Sequence, residues 1–288
     1  MHSREQLDAE DRREGLYLVS LSTPALVMVS IILLLPVGWL FWLSFIGHGG
    51  FTFINYIRLY ENSAYLTIFQ TTFLLSIIVT LLSLVLGYPF AYLLSQLPPR
   101  LATLGLLVVL LPFWTSVLVR TYSWLVLLQR HGLVNTALMK LDIVSEPLSL
   151  IYNTAGVVLG MLHIMLPFMI LPLYAAMKSV DPMLIKAAIS LGATRRRAFY
   201  TIFMPLTLPG LMAGSLLVFI YCLGFYITPQ ILGGGRVNLV SMKILENATV
   251  YSDWGAASAL GVVLLVITLV IFKLIQKILP VERLMGGA

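Results

Sequence analysis

Residues 154–179 read TAGVVLGMLHIMLPFMILPLYAAMKS, an apolar run with no acidic side chain and with Lys178 held back to its far end. A helix rises about 1.5 Å per residue and the hydrocarbon core of a bilayer is about 30 Å thick, so the run is long enough to cross it. Five more stretches of the same kind occupy roughly 17–45, 66–96, 101–128, 207–229 and 256–278. Hydrocarbon offers backbone amides no partner, and none of the six stretches alternates apolar with polar residues, so the amides must pair within each segment. The expected fold is an all-α membrane protein, a bundle of six transmembrane helices; a β-barrel is excluded. Composition agrees, because 59% of the 288 residues are hydrophobic and 10% charged, with a mean hydropathy of +0.96. Those values exclude a water-soluble globule.

The first stretch is longer than the apolar region of an export signal, and no small-residue cleavage pattern follows it. It is expected to remain as a span behind a polar head, residues 1–16, that carries both charge signs. Lys and Arg beside spans are held on the cytoplasmic side. With the N-terminus inside, the inner segments collect Arg4, Arg12, Arg13, Arg100, Lys178, Lys186, Arg195, Arg196, Arg197, Lys273, Lys277 and Arg283. The outer segments hold Arg58, Arg130, Lys140, Arg236 and Lys243. Both termini are thus expected in the cytoplasm, with a membrane domain over 17–279 and a cytoplasmic tail at 280–288. The same asymmetry accounts for the net charge of +6 without a nucleic-acid partner.

Little of the sequence offers chemistry. Cys222 is the single cysteine, so no intrachain disulfide can form, and a small packing residue is the expected role. His2, His48, His131 and His163 are too scattered for a metal site. His163, inside a span, is expected to hydrogen-bond to a neighbouring helix, with a pathway role left open. No G-x-x-x-x-G-K-[ST] run exists, and Gly233-Gly234-Gly235 lacks the Lys of a phosphate loop. No cofactor is expected in this chain. Pro36, Pro89, Pro112, Pro167, Pro172 and Pro209 fall inside or at the ends of spans, where they remove backbone hydrogen bonds and permit static kinks or hinges.

The polar segment after the fourth span is more informative. Asp181 can cap free amides and Pro182 has no amide to leave unpaired, a good helix start. Residues 182–191 favour helix, and Gly192 stands where a stop is expected. Leu184, Ala187, Ala188 and Leu191 recur at three- and four-residue spacing, giving a small apolar face that fits a groove of another protein. Arg195-Arg196-Arg197 can contact lipid headgroups or acidic groups on that partner.

Ala187-Ala188, Ser190, Gly192, Ile202 and Pro205 together resemble the cytoplasmic loop of binding-protein-dependent ABC importer permeases. Pro112-Phe113-Trp114-Thr115-Ser116, Arg120-Thr121-Tyr122-Ser123-Trp124, Gly224-Phe225-Tyr226-Ile227-Thr228-Pro229, Leu232-Gly233-Gly234 and Asp253-Trp254-Gly255 are similar to the spermidine/putrescine branch of that family. The resemblance implies a type I importer permease in a bacterial inner membrane, with a coupling helix at about 181–193 that docks on an ATPase subunit. The residues implied in that contact are Asp181, Leu184, Lys186, Ala187, Ala188, Leu191, Gly192, Ala193 and Arg195. Lys186 departs from the family, which carries an acid there. Also implied are two ATPase subunits that bind ATP and Mg, a second permease (a related chain or a copy), and an extracytoplasmic solute-binding protein. Polyamine uptake is the implied activity. Another small solute (an amino acid derivative, an opine or a metal ion) stays open, as does an ion-coupled secondary transporter, although no midplane ionisable cluster or internal repeat is visible.

Cationic cargo is held by carboxylates and by aromatic faces. No acidic residue falls in the middle of an expected span; Glu246 and Asp253 lie in the outer loop before the last one. With Trp114, Arg120, Tyr122, Tyr221, Phe225 and Tyr226 of the third and fifth spans they form the candidate substrate path, the aromatics serving equally well as interfacial anchors or packing. Counted along a straight third span from Leu101, Arg120 lies about 30 Å away, so it is expected at the outer interface, snorkelling to water or contributing to an outer gate.

Overall fold

The computed structural model describes the backbone of residues 2–47 and 50–278; the expected tail at 280–288, Arg283 and His48 lie outside the described residues. Helix α1 (His2–Ser44) continues from the polar head through the first apolar stretch. It ends at a two-stranded antiparallel hairpin, β1 (Ile46–Gly47) with β2 (Gly50–Phe51). A short helix α2 (Ile54–Glu61) follows. Its buried Asn55 donates two 3.0 Å hydrogen bonds from Nδ2 to the carbonyls of Ser44 and Ile46, pinning the end of α1. Two of the last carbonyls before the turn would otherwise be buried without donors.

Long helices α3 (Ser63–Gln96), α7 (Thr154–Ser179) and α10 (Met204–Leu223) pack against one another as the centre of the molecule. Met161, Met165, Met169 and Leu173 of α7 recur every four residues and meet Leu75 and Val79 of α3 and Val218 and Cys222 of α10 in one buried cluster. Lipid tails are as apolar as these side chains, so close backbone approach matters more here than the hydrophobic effect. Small residues provide it: Gly87 of α3 and Gly214 of α10 both face Met169, and Gly210 faces Ala176 and Pro172. The last helix, α13 (Trp254–Ile278), packs on α1. The apolar window of α1 has no buried residue and presents its side chains outward.

Among the described residues five helices are long and apolar enough to cross a membrane, and the number rises to six when the bent pair after α3 is counted as one span. The expectation of one straight helix over 101–128 does not hold. Helix α4 (Pro99–Leu110) tightens into a 3-10 turn, Leu111–Trp114, and α5 (Val117–Leu128) leaves it, with the axis turning by 96° across the break. Pro112 has no amide to donate and its ring crowds the carbonyl one turn earlier. Thr115 then adopts extended backbone, and its hydroxyl donates 2.8 Å back to the Pro112 carbonyl. By contrast Pro36, Pro89, Pro167, Pro172 and Pro209 sit inside helices that continue through them.

The fifth span also differs from the expected 207–229. It begins at α9 (Arg195–Ala198), passes a π-helical turn, Phe199–Phe203, and ends with α10 at Leu223, where Gly224 breaks it. Residues beyond form α11 (Ile227–Leu232) and α12 (Val240–Thr249), the latter packed on α13. Helix α5 is tied to α11 by Thr121 and Thr228, whose hydroxyls are 2.9 Å apart, and α6 (Leu133–Lys140) follows α5.

Candidate functional site

At the end of the bundle where α3 and α7 terminate, residues 181–194 build helix α8 (Pro182–Ser190). The Asp181 carboxylate accepts from the Met183 amide at 2.8 Å, and Pro182 occupies the first helical position. At the other end Gly192 adopts φ +89°. The Gly192 amide donates to the Ile189 carbonyl at 2.9 Å and the Ala193 amide to Ala188 at 3.0 Å, the paired bonds of a Schellman stop. Thr194 then caps α9, accepting from the Arg197 amide at 3.3 Å. A nine-residue helix is marginal alone, so capping at both ends is what holds it.

No residue of α8 is fully buried. Leu184 and Ala187 project outward, and Leu191 is 89% exposed. Ala188 does not join them: it is half-buried, on the side where Ile185 packs against the core. Of the nine residues of α8 only Ile185 and Ala188 are partly covered, and the other seven are exposed. Met183, 64% exposed, takes part in the outward face instead. Lys186, Arg195 and Lys178 line a cavity of about 530 Å³ between α8 and the ends of α3 and α7. Tyr92 of α3 stands edge-on to Phe199 at 5.4 Å and to Phe203 at 5.3 Å, bracing the π turn beside it.

The eight path candidates are not gathered in one place. Tyr226 and Glu246 line a cavity of about 570 Å³ at the opposite end of α3. Asn62, Gln230, Asn238 and Lys243 share that lining and were missed by sequence reasoning; amide side chains beside Glu246 near span ends were the available signal. Glu246 is paired with Lys243 at 3.0 Å, and the Lys243 ammonium lies 5.2 Å from the Tyr251 ring centroid. The Lys243 hydrogen bond, helped by its charge and by Tyr251, holds the Glu246 carboxyl below its ordinary value, and partial burial opposes this. Asp253 belongs to a neighbouring cavity and serves the architecture, since its carboxylate accepts from the Ala256 amide at 2.9 Å at the start of α13 and lies 3.7 Å from Arg58. Tyr221 and Phe225 line a shallow apolar hollow, and Tyr221 packs on Phe168 at 4.7 Å. Trp114 and Tyr122 are exposed and line none of these cavities.

Arg120 is half-buried in the first turn of α5, and its Nε has no hydrogen-bond partner among the described residues. The distance argument that put it at the outer interface assumed a straight span, which the 96° bend removes. His163 does meet a neighbouring helix, as expected: Trp124 Nε1 donates to its Nδ1 at 3.0 Å, joining α5 to α7.

A bundle of long apolar helices, with a capped helix at one end and a cavity of about 570 Å³ at the other, is the architecture of a multi-pass membrane protein. The chain belongs to the family of binding-protein-dependent transport system inner membrane components, whose family model matches residues 63–280. It is 37% identical over 221 residues, 76% of this chain and 77% of the relative, to the spermidine/putrescine transport system permease protein PotB of Haemophilus influenzae. PotB of Escherichia coli is 34% identical over 217 residues, 75% of this chain and 78% of the relative. The fold is that of a solved bacterial alginate ABC transporter chain, crystallised in complex with an alginate pentasaccharide-bound periplasmic protein: TM-score 0.76 at 18% identity, covering 97% of this chain and 98% of the other. The family sets aside the ion-coupled secondary transporter. Its match begins with α3 and leaves α1 and α2 outside, whereas the structural match, at 97% of this chain, takes in most of α1 as well.

Proposed function

We propose that this chain is the permease subunit of an ATP-driven importer that carries polyamines such as spermidine and putrescine across a bacterial inner membrane. The observation that carries the reading is α8, a helix stabilised at both ends and left with an outward apolar face that none of the described residues covers. Such a face suits the groove of a motor subunit. Two ATPase subunits would bind ATP and Mg, a second permease would complete the path, and a solute-binding protein would deliver cargo at the other face. The concentration of Lys178, Lys186 and Arg195–Arg197 at the α8 end supports a cytoplasmic location for α8 and for both termini.

Polyamine cargo is supported by the similarity to PotB over three quarters of the chain. The Tyr226 and Glu246 cavity fits transient passage rather than tight capture, because Lys243 already neutralises the carboxylate and an incoming ammonium must displace it. Selection then falls to the binding protein. The test is uptake of labelled spermidine by the reconstituted complex, with a hydrolysis-dead ATPase in parallel. Uptake should stop with the dead ATPase and be competed by putrescine. Uptake that survives the dead ATPase but collapses with the ion gradient would refute ATP drive, and competition by an opine or amino acid derivative instead of putrescine would refute the cargo.

A further inference from the structure

Three cations from three separate elements converge on the cavity beneath α8: Lys178 from the last turn of α7, Lys186 from α8 and Arg195 from the start of α9. Among the described residues no carboxylate lines it; Asp181, between the lining residues Val180 and Pro182, is engaged in capping α8. Among the described residues the two ion pairs, Arg58 with Asp253 and Lys243 with Glu246, both involve elements at the far end of the bundle. Like charges around one open cavity repel, and an anion held between them converts that repulsion into attraction. The Gln96 side-chain amide also borders the cavity, one of its N–H groups donating to Ser95, whose own hydroxyl donates to the Tyr92 carbonyl at 2.7 Å.

The remainder of the wall is apolar and aromatic, with Met177, Phe199 and Phe203 among its residues. The membrane-spanning helices α3 and α7 end beside the cavity, at Gln96 and Ser179, so it opens on the α8 side of the bundle, toward the membrane surface. Its volume of about 530 Å³ falls within the roughly 300–1,000 Å³ of ordinary small-molecule sites. We propose that this cavity binds the phosphate headgroup of an anionic phospholipid. The Arg195 fork and the two ammonium groups supply donors suited to phosphate oxygens, and the apolar wall takes the first part of an acyl chain. The bound lipid neutralises Lys186 and bridges α8 to the ends of α3 and α7. This goes beyond the transport reading and shares with it only the side of the membrane on which α8 lies.

A non-specific basic surface would use Arg196 and Arg197 equally, and neither lines the cavity. That difference makes the test. The purified full-length chain is placed in phosphatidylcholine nanodiscs with an increasing fraction of phosphatidylglycerol, and retained lipid is counted by native mass spectrometry. Lys178→Gln, Lys186→Gln and Arg195→Gln should each weaken phosphatidylglycerol retention by about fivefold, the usual effect of one Lys or Arg beside an anionic headgroup. Arg196→Gln should leave it unchanged, and Lys186→Arg should preserve it, with circular dichroism verifying that every variant is folded. An equal loss in Arg196→Gln, or retention that never saturates, overturns the site. Inorganic phosphate protecting the chain from thermal unfolding through the same three cations, with no preference for the lipid, overturns the lipid assignment. Nanodiscs offer phosphatidylglycerol on both faces, so a negative result leaves the orientation and transport of the chain untouched.

Discussion

Replacing Gly192 with valine tests the joint on which coupling depends. The residue holds φ +89°, a left-handed conformation that a β-branched side chain resists. An added Cβ would meet nothing within 4 Å, so the penalty is one of backbone conformation and not of collision. Holding a non-glycine residue there costs about 1–3 kcal/mol, a factor of roughly 5 to 150 in the local equilibrium. The chain can avoid that cost by releasing the two bonds that close α8, from the Gly192 amide to Ile189 and from the Ala193 amide to Ala188. Hydrogen exchange at those two amides should therefore quicken by up to the same factor, while the spans keep their protection. In the reconstituted complex, ATP hydrolysis should persist as spermidine uptake falls. Gly192→Asn, which tolerates the left-handed region, should lie close to the wild type, and Gly192→Ala between the two. If valine and asparagine exchange equally slowly, or if the valine variant couples normally, the stop at Gly192 is not what positions the helix.

Two further outcomes follow from packing and charge. Gly210→Ala puts a methyl group against Ala176 and the Pro172 carbonyl, where α10 crosses α7; it should cost about 1–3 kcal/mol and lower the thermal midpoint, while Gly38→Ala on the outward side of α1, with open space around it, should not. Glu246 has its folded pKa depressed below 4.5 by Lys243, so its contribution is fully present at neutral pH and is lost as pH falls through the folded value. The difference in thermal midpoint between wild type and Glu246→Gln should thus be constant from neutrality down to the ordinary carboxylate range and shrink only below it; a difference that grows with acidification would contradict the pairing.

How far the sequence could be read depends on whether a feature is local. Helix α7 was legible because its apolar length and its lack of carboxylates are properties of consecutive residues. The ends of α8 were legible for the same reason: Asp181-Pro182 and Gly192 act on amides and carbonyls within a turn of themselves. The bend after α4 was not, since hydropathy is blind to direction and a run of apolar residues reads alike whether straight or folded by 96°. Its causes, Pro112 followed by Thr115 and Ser116, were present but indistinguishable from the prolines that leave their helices intact. Arg120 inherited that error through a distance counted along a straight axis. Ala188, grouped by its spacing with Leu184, Ala187 and Leu191, is partly covered beside Ile185, a contact with the core that the spacing alone does not display. Asn135, with no exposed surface, bonds the Gln129 and Leu148 carbonyls and the Leu148 amide. Such a loop-organising role depends on contacts thirteen residues apart and leaves no periodic trace.

The π turn at Phe199–Phe203 joins α9 to α10 without a break, so Arg195–Leu223 behaves as a single indexed shaft. A π turn accommodates one residue more than an α turn does. Since each residue of an α-helix advances the chain by about 100° and 1.5 Å, removing one residue from this segment would swing α8 about a quarter of a revolution around the shaft. Tyr92, wedged against both phenylalanines, acts as the detent that fixes this angular setting.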